Sequence, residues 1–433
     1  MRPIQYAGVL GAGIAAAFAL STPAMAKDTV SLGIVAFLSG PAAGPYGVPG
    51  RNGAEMLIDA INSGTLPAPY NTKGFAGATV SADYIDESGG NTKQVSEYRN
   101  LVQKREVDAV IGYVSSGSCA AIAPVAEELQ TLTVMAVCGT PRIFEEAPRQ
   151  YVFRTMSHAT ADNIAAAHYV KEMMPDVKSY TGINQNYAWG QDSWRDFTLA
   201  MNNVMPDAEV SDKPQFPKIF AGQYGSEISA LSLDGAELVH SSFWGGDLEA
   251  FVLQATPRGF FRQKKVVLTV GGVSAYRLGK RLPDGIAIGS RGPYGILVRD
   301  RDTPLNTWFV ETYNKTYGDY PSGAAYQYAQ AILATKIAYD KAGEAAGSFP
   351  SQQQVIDAFK GLEFDSFAAP VKMALGGGHQ AITEHMYGIV KWDDAAGELT
   401  VTDVKVYPAE CVMPPDGKTS VEWIESGMPG AKC

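Results

Sequence analysis

Two short segments rich in serine, threonine and glycine could bind an anion. Each follows an apolar run of strand length, Ala109–Val114 or Leu132–Val137, and leads into a predicted helix. The candidate ligand-binding residues are Ser115, Ser116, Cys138, Gly139 and Thr140. If the two strands are neighbours in a parallel sheet, the free N–H groups at the two helix starts converge with the hydroxyls, which favours a carboxylate-sized ligand. The alternative is that these residues only cap their own helices, as Thr140 before Pro141 would do.

Large aromatic side chains stand beside glycines after several predicted strands and could form an apolar wall. In the second half of the chain, Trp189 follows the strand-like segment Tyr180–Ile183, and Trp244 follows Leu238–Ser242. In the first half, Tyr46 follows the first strand within a Gly-Pro-Tyr-Gly segment. Each of these aromatics could instead belong to the hydrophobic core. A carboxylate clamp that faces aromatic walls implies a small organic acid with an apolar or aromatic body.

No pattern in the chain predicts catalysis, a metal site or a cofactor. The sequence contains no GxSxG, HExxH or Walker A motif, and its four cysteines form no CxxC pair. Ser116 has no identifiable histidine partner, so we assign it hydrogen bonding and not nucleophilic attack. His379 and His385 are close in sequence, but a structural role is favoured over metal binding there. We therefore predict a binding protein and not an enzyme.

The net charge limits the possible partners, and an N-terminal apolar stretch indicates the compartment. Lys and Arg number 35 and Asp and Glu 45, a net charge of −10 that argues against nucleic acid and anionic lipid as partners. The apolar stretch Ala7–Leu20 has 14 residues, too few to span a bilayer, and is followed by Ala24-Met25-Ala26. This is the pattern of an export signal cleaved after Ala26. We expect a soluble monomer in a bacterial periplasm.

The cysteine count fits an oxidising compartment. The four residues are Cys119, Cys138, Cys411 and Cys433, which allow three connectivities. Pairing in sequence order, Cys119 with Cys138 and Cys411 with Cys433, is the most local choice. Each bond would close a loop of about 20 residues and stabilise the fold by roughly 3 kcal/mol in the chain-entropy model. Free thiols remain the alternative.

Strand-like and helix-like segments alternate from the start of the predicted mature chain. The apolar run Val30–Phe37 precedes a helical pattern, and the same alternation continues to Val137. It resumes after Arg154 with strand-like segments that include Val266–Val270, and two long helical patterns follow at Leu305–Tyr317 and Ala324–Ala342. This order predicts an α/β protein with two Rossmann-like lobes, each a parallel sheet flanked by helices.

A set of short motifs carries a family resemblance over nearly all of the mature chain. The motifs are Leu38-Ser39-Gly40-Pro41, Tyr46-Gly47, Ala54-Glu55, Val110-Ile111-Gly112, Ser115-Ser116-Gly117, Phe153-Arg154-Thr155 and Tyr187-Ala188-Trp189-Gly190-Gln191. In order and spacing, the set resembles the leucine/isoleucine/valine-binding group of type I periplasmic binding proteins, the soluble receptors of ABC importers. The resemblance implies that Ser116 and residues 138–140 grip a ligand carboxylate, and that Trp189 closes over it from the other lobe.

The resemblance also implies a domain organisation and a partner. Family members have a hinge with three chain crossings, expected here near Thr155, Asp284 and Gly376. Residues 1–26 would be the signal peptide, 27–155 with 285–376 the first lobe, 156–284 with 377–410 the second lobe, and 411–433 a disulfide-tethered C-terminal extension. The implied partner is an ABC transporter permease in the inner membrane. A sensor module that presents its ligand to a membrane receptor is an alternative role.

One departure from the family pattern bears on the ligand. Amino-acid binders of this group carry an acidic residue after the strand that matches Val266–Val270, where it meets the ligand ammonium, and this chain has Gly271 there. A buried ammonium without a counter-charge is costly. We therefore expect a non-amino organic acid, such as an aromatic carboxylate. Asp247 could supply the missing charge, which keeps a branched-chain amino acid as the alternative ligand.

Overall fold

The computed structural model describes Met1 and residues 27–433. Residues 2–26 of the predicted export signal, with the predicted cleavage after Ala26, lie outside the described residues. Within the described part of the chain, no helix combines the length and the apolar character needed to cross a lipid bilayer.

The strands form two separate sheets. In chain order they are β1 (Thr29–Ala36), β2 (Thr79–Asp86), β3 (Ala109–Gly112), β4 (Thr133–Met135), β5 (Val152–Arg154), β6 (Ser179–Ile183), β7 (Glu209–Val210), β8 (Leu238–Ser241), β9 (Lys265–Leu268), β10 (Ala287–Gly289), β11 (Glu363–Asp365), β12 (Pro370–Leu375), β13 (Gln380–Ile382), β14 (His385–Asp393) and β15 (Glu398–Tyr407). The eight-stranded sheet has the order β11-β12-β13-β5-β4-β3-β1-β2, and the seven-stranded sheet has the order β15-β14-β10-β9-β8-β6-β7. We call the parts of the chain built on these sheets the first and the second lobe.

Helices flank both sheets. They are α1 (Val48–Ser63), α2 (Asn91–Gln103), α3 (Ser116–Glu128), α4 (Arg142–Glu145), α5 (Ala159–Met173), α6 (Ala188–Val204), α7 (Gly225–Leu233), α8 (Gly245–Ala255), α9 (Phe260–Gln263), α10 (Gly271–Leu278), α11 (Pro304–Tyr317), α12 (Gly323–Ala346), α13 (Gln352–Phe359), α14 (Ala409–Val412) and α15 (Ser420–Glu425). The long helix α12 is buried along most of its length and packs on α1. Gly53 of α1 makes this packing possible, because a Cβ there would lie 2.5 Å from the carbonyl oxygen of Ala325.

The predicted α/β fold with two lobes is confirmed, with one correction to the sheets. The central strands of both sheets are parallel, and β3, β4 and β8 are buried at every position. Burial on both faces explains why β3 and β4 lie in largely apolar runs of the sequence. The predicted parallel sheets are mixed at one side, because β11 and β12 in the first and β14 and β15 in the second pair antiparallel. Hairpins need only short turns, so they extend a sheet without crossover helices.

The chain passes between the two sheets three times. It leaves the first sheet after β5, returns to it after β10, and leaves it again between β13 and β14. Two crossings were expected near Asp284 and Gly376, but each of these residues is followed by one more strand of the sheet that the chain is leaving. These strands are β10 and β13, so the two crossings come after them. The division of the chain into lobes at 155, 284 and 376 stays a prediction.

Two local disulfides join Cys119 to Cys138 and Cys411 to Cys433. The pairing in sequence order is thereby confirmed, and none of the cysteines in the described part of the chain is a free thiol. The C-terminal segment beyond Cys411 packs on the second lobe through Trp423, which is buried beside residues of α5 and α6. Asn203 of α6 fixes it further by donating a 2.7 Å hydrogen bond to the carbonyl oxygen of Ile424.

Candidate ligand-binding site

A small closed cavity lies where the two lobes meet. The space between its lining atoms amounts to about 180 Å³, but none of it is wide enough to hold a water molecule. Its lining residues are Tyr46, Val114 and Ser116 from the first lobe, Tyr187, Trp189 and Trp244 from the second, and Arg291, which comes two residues after β10 of the second sheet. Four of the ten candidate site residues, Tyr46, Ser116, Trp189 and Trp244, therefore line one cavity. Because both lobes contribute, the cavity exists only while the lobes are closed.

Ser116 brings the two predicted anion-binding turns together. It is the first residue of α3, and it follows β3 as Gly139 and Thr140 follow the neighbouring strand β4. The Ser116 hydroxyl oxygen accepts hydrogen bonds from the amides of Gly139 (3.3 Å) and Thr140 (3.2 Å). A hydroxyl that accepts two such bonds can still donate its own proton. Ser116 thus faces the cavity as a donor that two amides hold in place.

The amides before α3 are not free for a ligand. Glu87, buried at the end of β2, accepts hydrogen bonds from the backbone N–H of Val114 (2.8 Å) and of Ser115 (2.9 Å). The expectation of an unpaired amide is therefore wrong for Ser115, and this residue does not line the cavity. Its contact with a ligand stays a prediction. Burial raises the pKa of the Glu87 carboxyl to about 7, although the two amides oppose the shift.

The raised pKa of Glu87 predicts a dependence of stability on pH. In the folded protein, the pKa of the Glu87 carboxyl exceeds the ordinary value of 4.5. Its contribution to the free energy of unfolding is therefore complete below pH 4.5 and is lost as the pH rises through about 7. We expect the unfolding free energy of the wild type, relative to that of Glu87→Gln, to fall between about pH 5 and about pH 8. Denaturant unfolding of both proteins measures this difference. A difference that is constant or rises with pH would contradict the assignment.

Thr140 joins the two lobes rather than lining the cavity. Its hydroxyl donates a 2.8 Å hydrogen bond to the buried carboxylate of Asp192 in α6, and Arg142 donates to the same carboxylate at 2.6 Å. The short helix α4 begins at Arg142 after Pro141, so the predicted helix start at Pro141 with Thr140 as its N-cap is wrong by one residue. The Thr140 side chain therefore stabilises the closed arrangement of the lobes.

A buried arginine holds the loop between β4 and α4. Arg154 donates to the carbonyl oxygens of Cys138 (3.0 Å) and Thr140 (2.7 Å). Cys138 itself does not line the cavity, because its sulfur is bonded to Cys119. Its contribution is to fix the loop that carries Gly139 beside the start of α3.

Four of the seven residues that line the cavity are aromatic, namely Tyr46, Tyr187, Trp189 and Trp244. The indole N–H of Trp189 donates to the carbonyl oxygen of Ser242 (2.8 Å), and that of Trp244 donates to the Tyr187 hydroxyl (2.7 Å). These bonds fix both indole rings from within the second lobe. Tyr46 of the first lobe meets Trp244 edge to face, with ring centroids 5.3 Å apart.

The Tyr46 hydroxyl is an available donor in the cavity. It is buried without a hydrogen-bond partner among the described residues. Burial raises its pKa above the ordinary value, so the hydroxyl keeps its proton at neutral pH. A ligand oxygen could therefore accept a hydrogen bond from it.

Arg291 is the main site residue that the sequence predictions missed. Its guanidinium carbon lies 4.4 Å from the centroid of the Trp189 ring, and its side chain is only 5% exposed. The residue follows β10, and the one signal in the sequence is a cation directly after a buried strand. Its contact with Trp189 joins residues about a hundred positions apart, which no local pattern indicates. Val114 and Tyr187 were likewise not predicted as lining residues.

The two residues considered for an amine site both lie outside the cavity lining. The Asp247 carboxylate accepts hydrogen bonds from the Gln185 side chain and from the Phe220 amide, both at 2.7 Å. Gly271 packs on the second sheet, where a Cβ would lie 2.6 Å from Cγ2 of Ile288. The cavity is thus lined by donors, aromatic rings and one cation, and by no carboxylate.

The site offers no catalytic or metal-binding arrangement within its lining. It contains no carboxylate or histidine that could act as a base beside Ser116. Elsewhere in the described residues, one cluster has metal-ligand types, His168 with Cys411 and Cys433, but the two cysteines are bonded to each other. The arrangement is suited to holding an acceptor-rich anion against aromatic rings.

Two sheets joined by three crossings, with a cavity between them, are the architecture of a bilobal binding protein. A model of the periplasmic binding protein family matches residues 29–398. The chain belongs to this family, in its type I fold.

Individual relatives are distant but cover most of the chain. A Leu/Ile/Val-binding protein homolog of Brucella melitensis is 23% identical over 387 residues, which are 88% of this chain and 92% of the relative. A solute-binding protein of an ABC transporter from Rhodopseudomonas palustris HaA2, solved with p-hydroxybenzoic acid, matches at 19% identity with a TM-score of 0.74, over 88% of this chain and 98% of the other. The leucine-binding protein LivK of Thermotoga maritima matches at 19% identity and a TM-score of 0.70, over 87% and 98%.

Proposed function

We propose that this protein is the periplasmic receptor of an ABC importer and that it captures a small carboxylate with an apolar or aromatic body. The observation that carries the proposal is the composition of the cavity between the lobes, with hydrogen-bond donors and aromatic rings and no acidic side chain. The similarity to a protein solved with p-hydroxybenzoic acid supports the ligand class. Family membership supports export and an inner-membrane permease as partner.

The proposed mechanism is closure of the two lobes on the ligand. The ligand first binds the first lobe through Ser116 and Tyr46, and Trp189 and Trp244 then close over it. Only a ligand that contacts both lobes shifts the equilibrium to the closed form, because the shift equals its difference in affinity for the two forms. Direct contacts between the lobes also stabilise the closed form. One is the 2.9 Å hydrogen bond from the Gly246 amide to the carbonyl oxygen of Pro41.

A branched-chain amino acid is the second candidate ligand. The Brucella relative and the Thermotoga LivK protein, whose names refer to these amino acids, favour it. Against it stands the position of Asp247, whose hydrogen bonds to Gln185 and Phe220 hold it outside the cavity lining. An ammonium group in the cavity would therefore lack a counter-charge.

Titration calorimetry of the mature protein separates the two candidates. The ligands to compare are benzoate, 4-hydroxybenzoate and leucine, and quenching or enhancement of the fluorescence of Trp189 and Trp244 gives an independent signal. We expect at least one aromatic carboxylate to bind at least about tenfold more tightly than leucine, a difference of about 1.4 kcal/mol. Tighter binding of leucine, or no binding of either aromatic acid, would contradict the proposed ligand class.

A further inference from the structure

The guanidinium of Arg291 is buried in the cleft with its hydrogen-bonding capacity unused. Neither its Nε nor its Nη2 has a hydrogen-bond partner among the described residues. A buried charge without hydrogen bonds is strongly unfavourable, so proteins rarely retain one unless something else compensates it. In this structure the guanidinium lines the ligand cavity. A ligand is therefore the natural source of the missing partners.

One buried carboxylate pairs with the charge of Arg291 but accepts no hydrogen bond from it. Asp162 is the nearest carboxylate, with its Oδ2 3.7 Å from the arginine Nε, beyond hydrogen-bond distance. The other oxygen of Asp162 lies 3.3 Å from Nε2 of His385, so the same carboxylate faces a second ring. Burial, together with the charge of Arg291, lowers the pKa of the nearby Arg154 to about 9. Asp162 thus offsets part of the positive charge at this place, while Nε and Nη2 of Arg291 keep no hydrogen-bond acceptor among the described residues.

The position of Arg291 is tightly constrained from both lobes. The guanidinium lies over the face of the Trp189 ring, and it packs so closely on Gly139 that a Cβ there would overlap its Nη2. The backbone of Arg291 has a φ of +60°, in a region that a bulky residue adopts only when its surroundings impose it. The chain therefore holds this cation in one place in spite of the cost.

We propose that Arg291 binds the negative charge of the ligand and selects monoanionic carboxylates over zwitterionic amino acids. This inference rests on the proposed function of the cavity. The planar fork of a guanidinium matches a carboxylate in two parallel hydrogen bonds. Arg291 donates from the second lobe while Ser116 donates from the first, so one carboxylate is held by both lobes.

The selectivity follows from charge. In an α-amino acid the ammonium is on the carbon next to the carboxylate, so it would lie close to Arg291. The cavity lining has no acidic side chain to offset a second positive charge, and like charges in a partly dry cleft repel each other strongly. A benzoate-like acid brings one negative charge and an apolar body to meet the aromatic wall.

The test compares three ligands of similar shape, benzoate, the neutral benzamide and the zwitterionic phenylglycine, on the full mature protein. The variants are Arg291→Gln and Arg291→Lys, and Arg262→Gln is the control, because Arg262 is an exposed arginine of the second lobe outside the cavity. We expect Arg291→Gln to lower the affinity for benzoate at least tenfold, to change that for benzamide by less than about threefold, and to reduce the preference for benzoate over phenylglycine. Arg291→Lys should retain part of the benzoate affinity, and Arg262→Gln all of it.

A second measurement separates binding from a structural role. Arg291→Gln leaves the buried Asp162 without its counter-charge, so we expect a lower thermal unfolding midpoint of the unliganded variant. Arg291→Lys keeps the charge and should recover the midpoint while it recovers only part of the benzoate affinity. Unchanged benzoate affinity in Arg291→Gln, or equal losses for benzoate and benzamide, would overturn the role of Arg291 and leave the proposed function standing. If the wild type binds neither benzoate nor phenylglycine, the proposed function fails, and this inference fails with it.

Discussion

Replacing Gly139 with alanine is expected to weaken ligand binding by about a hundredfold. In the closed protein, a Cβ at this position would overlap Nη2 of Arg291 and lie 2.5 Å from Cζ3 of Trp189. The indole cannot retreat freely, because its N–H is bonded to the carbonyl oxygen of Ser242. Overpacking of this kind costs about 3 kcal/mol at the upper end of its usual range, and about 1.4 kcal/mol corresponds to a factor of ten in affinity.

The effect of Gly139→Ala should fall on closure and not on folding. Gly139 has no left-handed backbone conformation that an alanine would strain, and both clashing side chains belong to the second lobe. An open protein would therefore accommodate the methyl group. Gly235→Ala is the matched control, since a Cβ at Gly235 would meet no atom within 4 Å.

Calorimetry and small-angle scattering measure the two consequences of Gly139→Ala. We expect a large loss of affinity, no ligand-induced compaction, and an unfolding free energy close to that of the wild type. Gly235→Ala should behave as the wild type in all three respects. Binding of wild-type strength by Gly139→Ala would show that the ligand-bound form is not the closed arrangement of Gly139, Trp189 and Arg291 described above.

The parts of the fold that could be predicted from sequence are those in which burial leaves a local pattern. The apolar runs Ala109–Val114 and Leu132–Val137 contain β3 and β4, because central parallel strands are covered on both faces. The short strands β11 and β13, with three residues each, carry no comparable pattern. Their sheet membership depends on pairing between segments distant in sequence. For this reason, the exact residues at which the chain crosses between the lobes could not be predicted from sequence.

The candidate site also has features that could be predicted from sequence and features that could not. Ser116, Gly139 and Thr140 could be brought together from sequence, because residues after neighbouring parallel strands share one edge of the sheet. The hydrogen-bond partner of each of these residues could not be predicted from sequence. The Ser115 amide bonds to Glu87, and the Thr140 hydroxyl bonds to Asp192, 52 residues away. An acidic residue or a lone arginine after a strand has many possible partners, and only the packing of the two lobes decides among them.

Removing the Cys119–Cys138 disulfide is expected to lower both stability and ligand affinity. The bond closes a loop with a sequence separation of 19, for which the chain-entropy model gives a loss of about 3 kcal/mol in unfolding free energy. It also ties α3, which begins with Ser116, to the loop that carries Gly139. In Cys119→Ala/Cys138→Ala these two segments gain freedom that the ligand must remove on binding, so we expect at least about a tenfold loss of affinity.

The second disulfide provides the matched control within the same chain. Cys411 and Cys433 close a loop of similar size, with a separation of 22, but they lie within the C-terminal segment and do not line the cavity. Cys411→Ala/Cys433→Ala should therefore lose a comparable unfolding free energy in denaturant titrations while keeping wild-type affinity in calorimetry. Equal losses of affinity in the two double variants, or none in either, would mean that the disulfide at Cys119 contributes to stability alone. A loss of affinity in Cys119→Ala/Cys138→Ala alone would show that the turns carrying Ser116 and Gly139 must be fixed relative to each other before the ligand binds.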